Sequence, residues 1–250
     1  MNYNWNWKIF WESSPDASGN YLQTLWSGLG WTLATALTAW VIALVLGAMI
    51  GTVRTMPSKP LVALGDAYVE LFRNIPLLVQ MFLWFFVVPE LVPKAAGTWL
   101  KQLPNAPFIT AVVCLSFFTS ARVAEQVRAG ILSLPRGQQM AGTALGLTIP
   151  QTYRYVLLPV ALRIVLPPLT SEFMNIIKNS AVALTIGLME VTARARAMQE
   201  FSFQVFEAFV AATIIYLVVN LVVVLFMRWL EKRLAVPGFL GNPTAVSNAH

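Results

Sequence analysis

Two stretches, Leu29 to Val53 and Val205 to Met227, run without a charged side chain except Glu207 near the start of the second. Each exceeds the roughly 20 apolar residues needed to cross a bilayer. Inside lipid every backbone N–H and C=O must be satisfied within the segment, so stretches of this kind fold as helices. Further windows follow the same logic. Phe108 to Ala121 is short in strict apolar terms but extends as a helix through Glu125. The apolar and aromatic run from Ile75 to Val88 reaches spanning length only if the amphipathic stretch from Leu61 runs on through Pro76 as one helix. Leu162 to Leu184 carries Pro167, Pro168, Glu172 and Lys178, which hydropathy alone scores poorly. Charged residues are 11% of the chain, against about 25% in a soluble domain. The reading is an all-α integral membrane protein with five transmembrane helices over residues 25–234.

Five spans place the two ends on opposite sides. Eleven of the basic residues fall on one face: Arg54, Lys59 and Arg73 by the first loop, five from Arg122 to Arg163 around the long central loop, and Arg228, Lys232 and Arg233 after the last span. The other face receives Lys8, Lys94, Lys101, Arg194 and Arg196. An excess of Lys and Arg marks the cytoplasmic side. The expected topology therefore has residues 1–24 outside the cell membrane, and the loop of about 130–157 and the tail, 235–250, in the cytoplasm. The aromatics Tyr3, Trp5, Trp7, Phe10 and Trp11 read as an interfacial segment in contact with membrane lipid. They lack the basic start and apolar core of a cleaved signal peptide.

The net charge of +6 is distributed as membrane topology requires, so it does not point to nucleic acid. The chain has no GxxxxGK[ST] phosphate loop, one cysteine, Cys114, and a single histidine at its end. A nucleotide site, a histidine-centred metal or haem site and a nucleophile–base pair have no residues to stand on. The expectation is a non-catalytic transport subunit with no metal and no cofactor of its own, powered from elsewhere or running downhill.

Between the third and fourth spans lies GQQMAGTALGLTIPQTYRYVLLP, Gly137 to Pro159. Gly137, Ala141, Gly142, Ala144 and Gly146 leave little side-chain bulk, so another protein can approach the backbone closely. Its spacing is Met140-Ala141-Gly142, three residues, Gly146, nine residues, then Val156-Leu157-Leu158-Pro159. This resembles the EAA loop of ABC-importer permeases, with Met140 where that family usually has Glu. Phe72-Arg73-Asn74-Ile75-Pro76-Leu77-Leu78-Val79-Gln80 is similar to the FRGTPLLVQ-type segment of polar amino-acid permeases. PPLTSEFMNIIKNS (Pro167 to Ser180) and EKRLAVPGFLG (Glu231 to Gly241) resemble the glutamate/aspartate permeases of that family, which also lack the Glu.

The resemblance implies the type I ABC importer permease fold in a bacterial inner membrane. It implies as partners a pair of ABC ATPase subunits holding ATP and Mg, a second similar permease and a periplasmic substrate-binding protein. It also implies that Gly137, Gln138, Met140, Ala141, Gly142, Gly146, Leu158 and Pro159 form the surface coupled to the ATPase. Rival readings from the residues alone are a stand-alone secondary carrier and a structural subunit of another membrane complex.

Candidate pathway residues lie mainly in the fourth span. At 100° per residue Glu172, Asn175 and Asn179 share a helix face, and Ser171, Asn175 and Lys178 an overlapping one. Ionisable groups at membrane depth are costly unless they face a cavity or a partner. Lys178 therefore reads either as an attractor for an anionic amino acid, with Asn175, Asn179 and Ser180 beside it, or as a snorkelling side chain. Glu172 reads either as a pathway group or as the partner of an arginine on another chain. Arg73 reads either as path-lining or as snorkelling to the headgroups. Pro76 lacks an N–H and should open the second span, freeing carbonyls that protein or water must satisfy. Trp84, Phe85 and Phe86 read as lipid-facing packing rather than an aromatic cage, and Glu125 and Arg128 either as an i, i+3 pair or as a contact to the ATPase.

Overall fold

The computed structural model describes residues 3–15 and 19–234. The expected cytoplasmic tail, 235–250, and the end of the EKRLAVPGFLG segment lie outside the described residues. The elements are a 3-10 turn (Trp7–Trp11) and nine helices among the described residues: α1 (Tyr21–Val53), α2 (Lys59–Asn74), α3 (Leu77–Leu91), α4 (Lys94–Lys101), α5 (Ala106–Leu132), α6 (Arg136–Ala144), α7 (Ile149–Ile186), α8 (Val191–Ser202) and α9 (Val205–Leu234). Among the described residues four, α1, α5, α7 and α9, are each long and apolar enough to span a bilayer.

The fifth span differs from a straight continuation through Pro76. α2 and α3 meet at 101°, so they count as one span only as a bent pair. Proline removes one donor and pushes Ile75 into an extended conformation, with ψ 130°,. The carbonyls this frees find a single partner: Gln80 Nε2 donates to Phe72 O at 2.9 Å and to Ile75 O at 2.9 Å. Phe72 and Trp84, one on each arm, stack on Phe117 of α5 with centroids 5.3 Å away in both cases. Of the aromatic run expected to face lipid, Phe86 is exposed, while Trp84 packs inward.

α1 and α5 form the spine. Thr35, Ala39, Ala43, Gly47 and Gly51 recur every fourth residue, all buried. A Cβ on Gly47 would stand 2.5 Å from Val123 Cβ, and one on Gly51 would stand 2.5 Å from Ala124 O. This is the small-residue ridge by which helices approach closely in lipid. The main core joins these helices to α7, where Trp40 stacks on Phe173 at 5.0 Å.

At 33 residues, α1 is about 50 Å long, well beyond a hydrocarbon layer of about 30 Å. Its first turns are built into a second core of Ile9, Tyr21, Leu25, Val191, Met198 and Ala208. The only charge at the start of α9 explains how the N-terminal segment is held there. Glu207 is fully buried and accepts from the Tyr3 hydroxyl and from Asn6 N at 2.8 Å. Glu190, between α7 and α8, caps α8 by accepting from Thr192 N (2.9 Å) and Ala193 N (2.8 Å) and also accepts from Tyr216 Oη (2.8 Å). Burial pushes its carboxyl above the ordinary range, and these donors pull partly the other way,.

Candidate functional site

The central loop folds as α6 and a turn. The last carbonyls of α6 are closed by Gly146 N→Thr143 O (3.0 Å) and Leu147 N→Gly142 O (3.1 Å). That pair of bonds is a Schellman motif, and it requires the left-handed backbone that Gly146 adopts at φ 75°,. Thr148 then starts α7 through a capping box with Gln151,. The small residues divide into two faces. Gly137, Met140, Ala141 and Gly146 are exposed, Met140 at 63%. Gln138 is half-buried, and Gly142 is buried against Thr152, whose Cγ2 would lie 2.8 Å from an added Cβ. Gly142 is thus small so that α6 can lie on α7, and it is turned away from the exposed face on which Ala141 and Met140 lie. Leu158 packs on the main core, and Pro159 is exposed on α7 beyond the π-helical turn Tyr153–Leu157. The exposed face has an apolar rim that the spacing did not single out: Leu145 (80%), Ile149 (51%) and Tyr155 (63%).

The second constellation lies where α1, α2, α5 and α7 converge. Arg54, one residue past α1, donates to Asp66 Oδ1 at 2.6 Å and to Glu125 Oε2 at 2.7 Å. Its stem crosses Gly65, where a Cβ would sit 2.6 Å from Arg54 Cγ. Glu125 also faces Arg128 at 3.2 Å, the expected helix-face pair, and Arg73 at 3.8 Å. Arg54, Glu70, Arg73, Asn74, Arg122 and Glu125 line a cavity of about 390 Å³.

Facing the cavity residue Arg122, Glu172 is buried, with Oε2 making no hydrogen bond and lying 3.7 Å from Arg122 Nη1. The arginine facing Glu172 is therefore in its own chain. Asn175 and Asn179 are half-buried, and Lys178 is exposed six residues along α7 from Glu172. Ser180 is fully buried and its hydroxyl donates to Ile177 O at 2.7 Å, so it faces its own helix and not an open path. Arg122 was missed because it precedes Glu172 by fifty residues with no motif linking them.

A bundle of apolar helices, a short helix with an exposed small-residue face and a cavity lined by charged side chains fit a multi-pass membrane permease. The family of binding-protein-dependent transport system inner membrane components matches residues 43–236. The chain belongs to that family. It is similar to the glutamate/aspartate import permease protein GltJ of Escherichia coli (strain K12), 48% identical over 97% of this chain and 100% of that one. The probable glutamine ABC transporter permease protein GlnM of Bacillus subtilis (strain 168) is 35% identical over 81% of this chain and 89% of its own. A crystal structure of an amino acid ABC transporter with histidines superposes with a TM-score of 0.72 at 31% identity, over 85% of this chain and 95% of that chain. The chain is the inner-membrane, non-catalytic permease subunit of an ABC importer for polar amino acids, an assembly in which separate ATPase subunits work with the permease. Membership sets aside the stand-alone carrier and the structural-subunit readings.

Proposed function

We propose that this permease imports glutamate or aspartate, with its α6 end in the cytoplasm and residues 1–24 on the periplasmic side. The substrate follows from the 48% identity to a glutamate/aspartate import permease, and one observation carries the docking: Gly142 seats α6 on Thr152 of α7 while Ala141 and Met140 stay exposed. Such a face can be gripped without deforming the spans. In this reading residues 25–234 form the permease domain and 235–250 a cytoplasmic tail. The exposed part of α6 sits on an ATPase pair that binds ATP and Mg. A second, similar permease completes the path, and a periplasmic binding protein delivers substrate.

The pathway groups then divide the labour. A zwitterionic amino acid carries an ammonium and a carboxylate, which Glu172 and Arg122 complement by charge. Lys178 is an exposed cation at the level of the same helix and would select a second carboxylate. Arg73 and Glu125 line the cavity through which substrate leaves. ATP-driven closure of the ATPases would move α6 and rock the spans between two open states.

The test is uptake in proteoliposomes containing the full importer, internal ATP and the binding protein. Accumulation of labelled glutamate or aspartate well above that of glutamine or histidine is expected. An importer that accumulates only neutral or basic amino acids would overturn the substrate assignment. An Ala141→Cys variant should react with an impermeant maleimide in inside-out but not right-side-out vesicles, and the opposite pattern would overturn the orientation.

A further inference from the structure

Tyr153 is 4% exposed in the π-helical turn at the foot of α7. Its hydroxyl donates to Thr55 O at 2.7 Å, bridging 98 positions of sequence. Thr55 belongs to the turn that follows α1, past the last residue of that helix. The next residue back is Arg54, whose guanidinium holds α2 through Asp66 and α5 through Glu125. On the other side of Tyr153 is Thr152, the residue on which Gly142 of α6 rests. The contacts therefore run without a break from α6 through Thr152 and Tyr153 to Thr55, Arg54 and the rim of the charged cavity.

We propose that Tyr153 is a positioning residue for transport. Its phenol locks the foot of α7 to the Arg54 turn, so that displacement of α6 is delivered to the ion cluster at the cavity. Without that bond, α6 and α7 can shift while the Arg54 turn stays behind. The proposal rests on the reading of α6 as the ATPase-docking helix.

The experiment compares wild type and Tyr153→Phe in the complete importer in proteoliposomes, reading assembly, basal ATP hydrolysis, and substrate taken up per ATP hydrolysed. Phenylalanine keeps the packing and removes only the donor. Assembly and basal hydrolysis should stay within about twofold while uptake per ATP falls by about fivefold or more, the size of an ordinary coupling between sites. Unchanged uptake per ATP overturns the proposal. If Tyr153→Phe does not assemble, Tyr153→Leu, which also removes the donor but with a smaller apolar side chain, is read with the same expectation. Loss of assembly in both would make this contact a fold-holding one and also overturn the proposal. Failure of the docking reading looks different: the wild-type permease itself would then not associate with the ATPase or show ATP-dependent uptake.

Discussion

The Glu172 carboxylate lies 3.7 Å from the Arg122 guanidinium, with its Oε2 buried and without a hydrogen bond. A pair this loose, in a place this costly for charge, has spare capacity to bind opposite charges on a small zwitterion. Glu172→Gln should therefore lower import of every amino acid the system carries, through loss of the ammonium contact. The check is uptake kinetics for two substrates side by side, and a loss confined to one of them would contradict it.

Lys178 lies away from that pair, so its removal should have a selective effect. Lys178→Met is expected to lower uptake of acidic relative to neutral amino acids by about tenfold, equivalent to a contact of about 1.4 kcal/mol. Competition uptake assays measure the ratio directly. An unchanged ratio in an assembled importer removes Lys178 from selectivity.

Ala141 and Gly142 are neighbours with different tasks, and a bulky residue should separate them. Ala141→Trp is expected to leave the permease folded but to block co-purification with the ATPase. Gly142→Trp should drive α6 off Thr152 and lower thermal stability, since its Cβ already meets that side chain at 2.8 Å,. Melting in detergent and pull-down of the ATPase distinguish the two, and identical behaviour would refute the division into faces.

Gln80 stands in for the donor that Pro76 lacks. Gln80→Leu leaves the Phe72 and Ile75 carbonyls without their partner in an apolar setting, at a cost on the order of 2 kcal/mol. The expected readout is a lower melting temperature and faster proteolysis near Ile75. A variant as stable as wild type would show that water satisfies those carbonyls instead.

The long apolar spans were legible because hydropathy depends on composition alone. Pro76 was legible as an interruption because proline chemistry is local, but the angle and the donor were not. Gln80 reaches back across the break only once the chain has turned, and Phe117 holds both arms from another helix. The α1 ridge was present in the sequence as Thr35, Ala39, Ala43, Gly47 and Gly51 at a strict period of four, a signal that a search for small-residue spacing would have found. Within the loop, spacing located the protrusion but not its register. Which of Ala141 and Gly142 faces outward depends on Thr152, which packs there only in three dimensions. The Arg54–Glu125 and Arg122–Glu172 pairs join distant helices and left no local pattern to read.

Gly47 and Gly51 of α1 leave no slack against Val123 and Ala124. Two rods meshed so tightly travel as one piece, so the transport cycle must hinge elsewhere, with α1 and α5 shifting together. Paired spin labels on those two helices would keep one constant separation throughout the cycle.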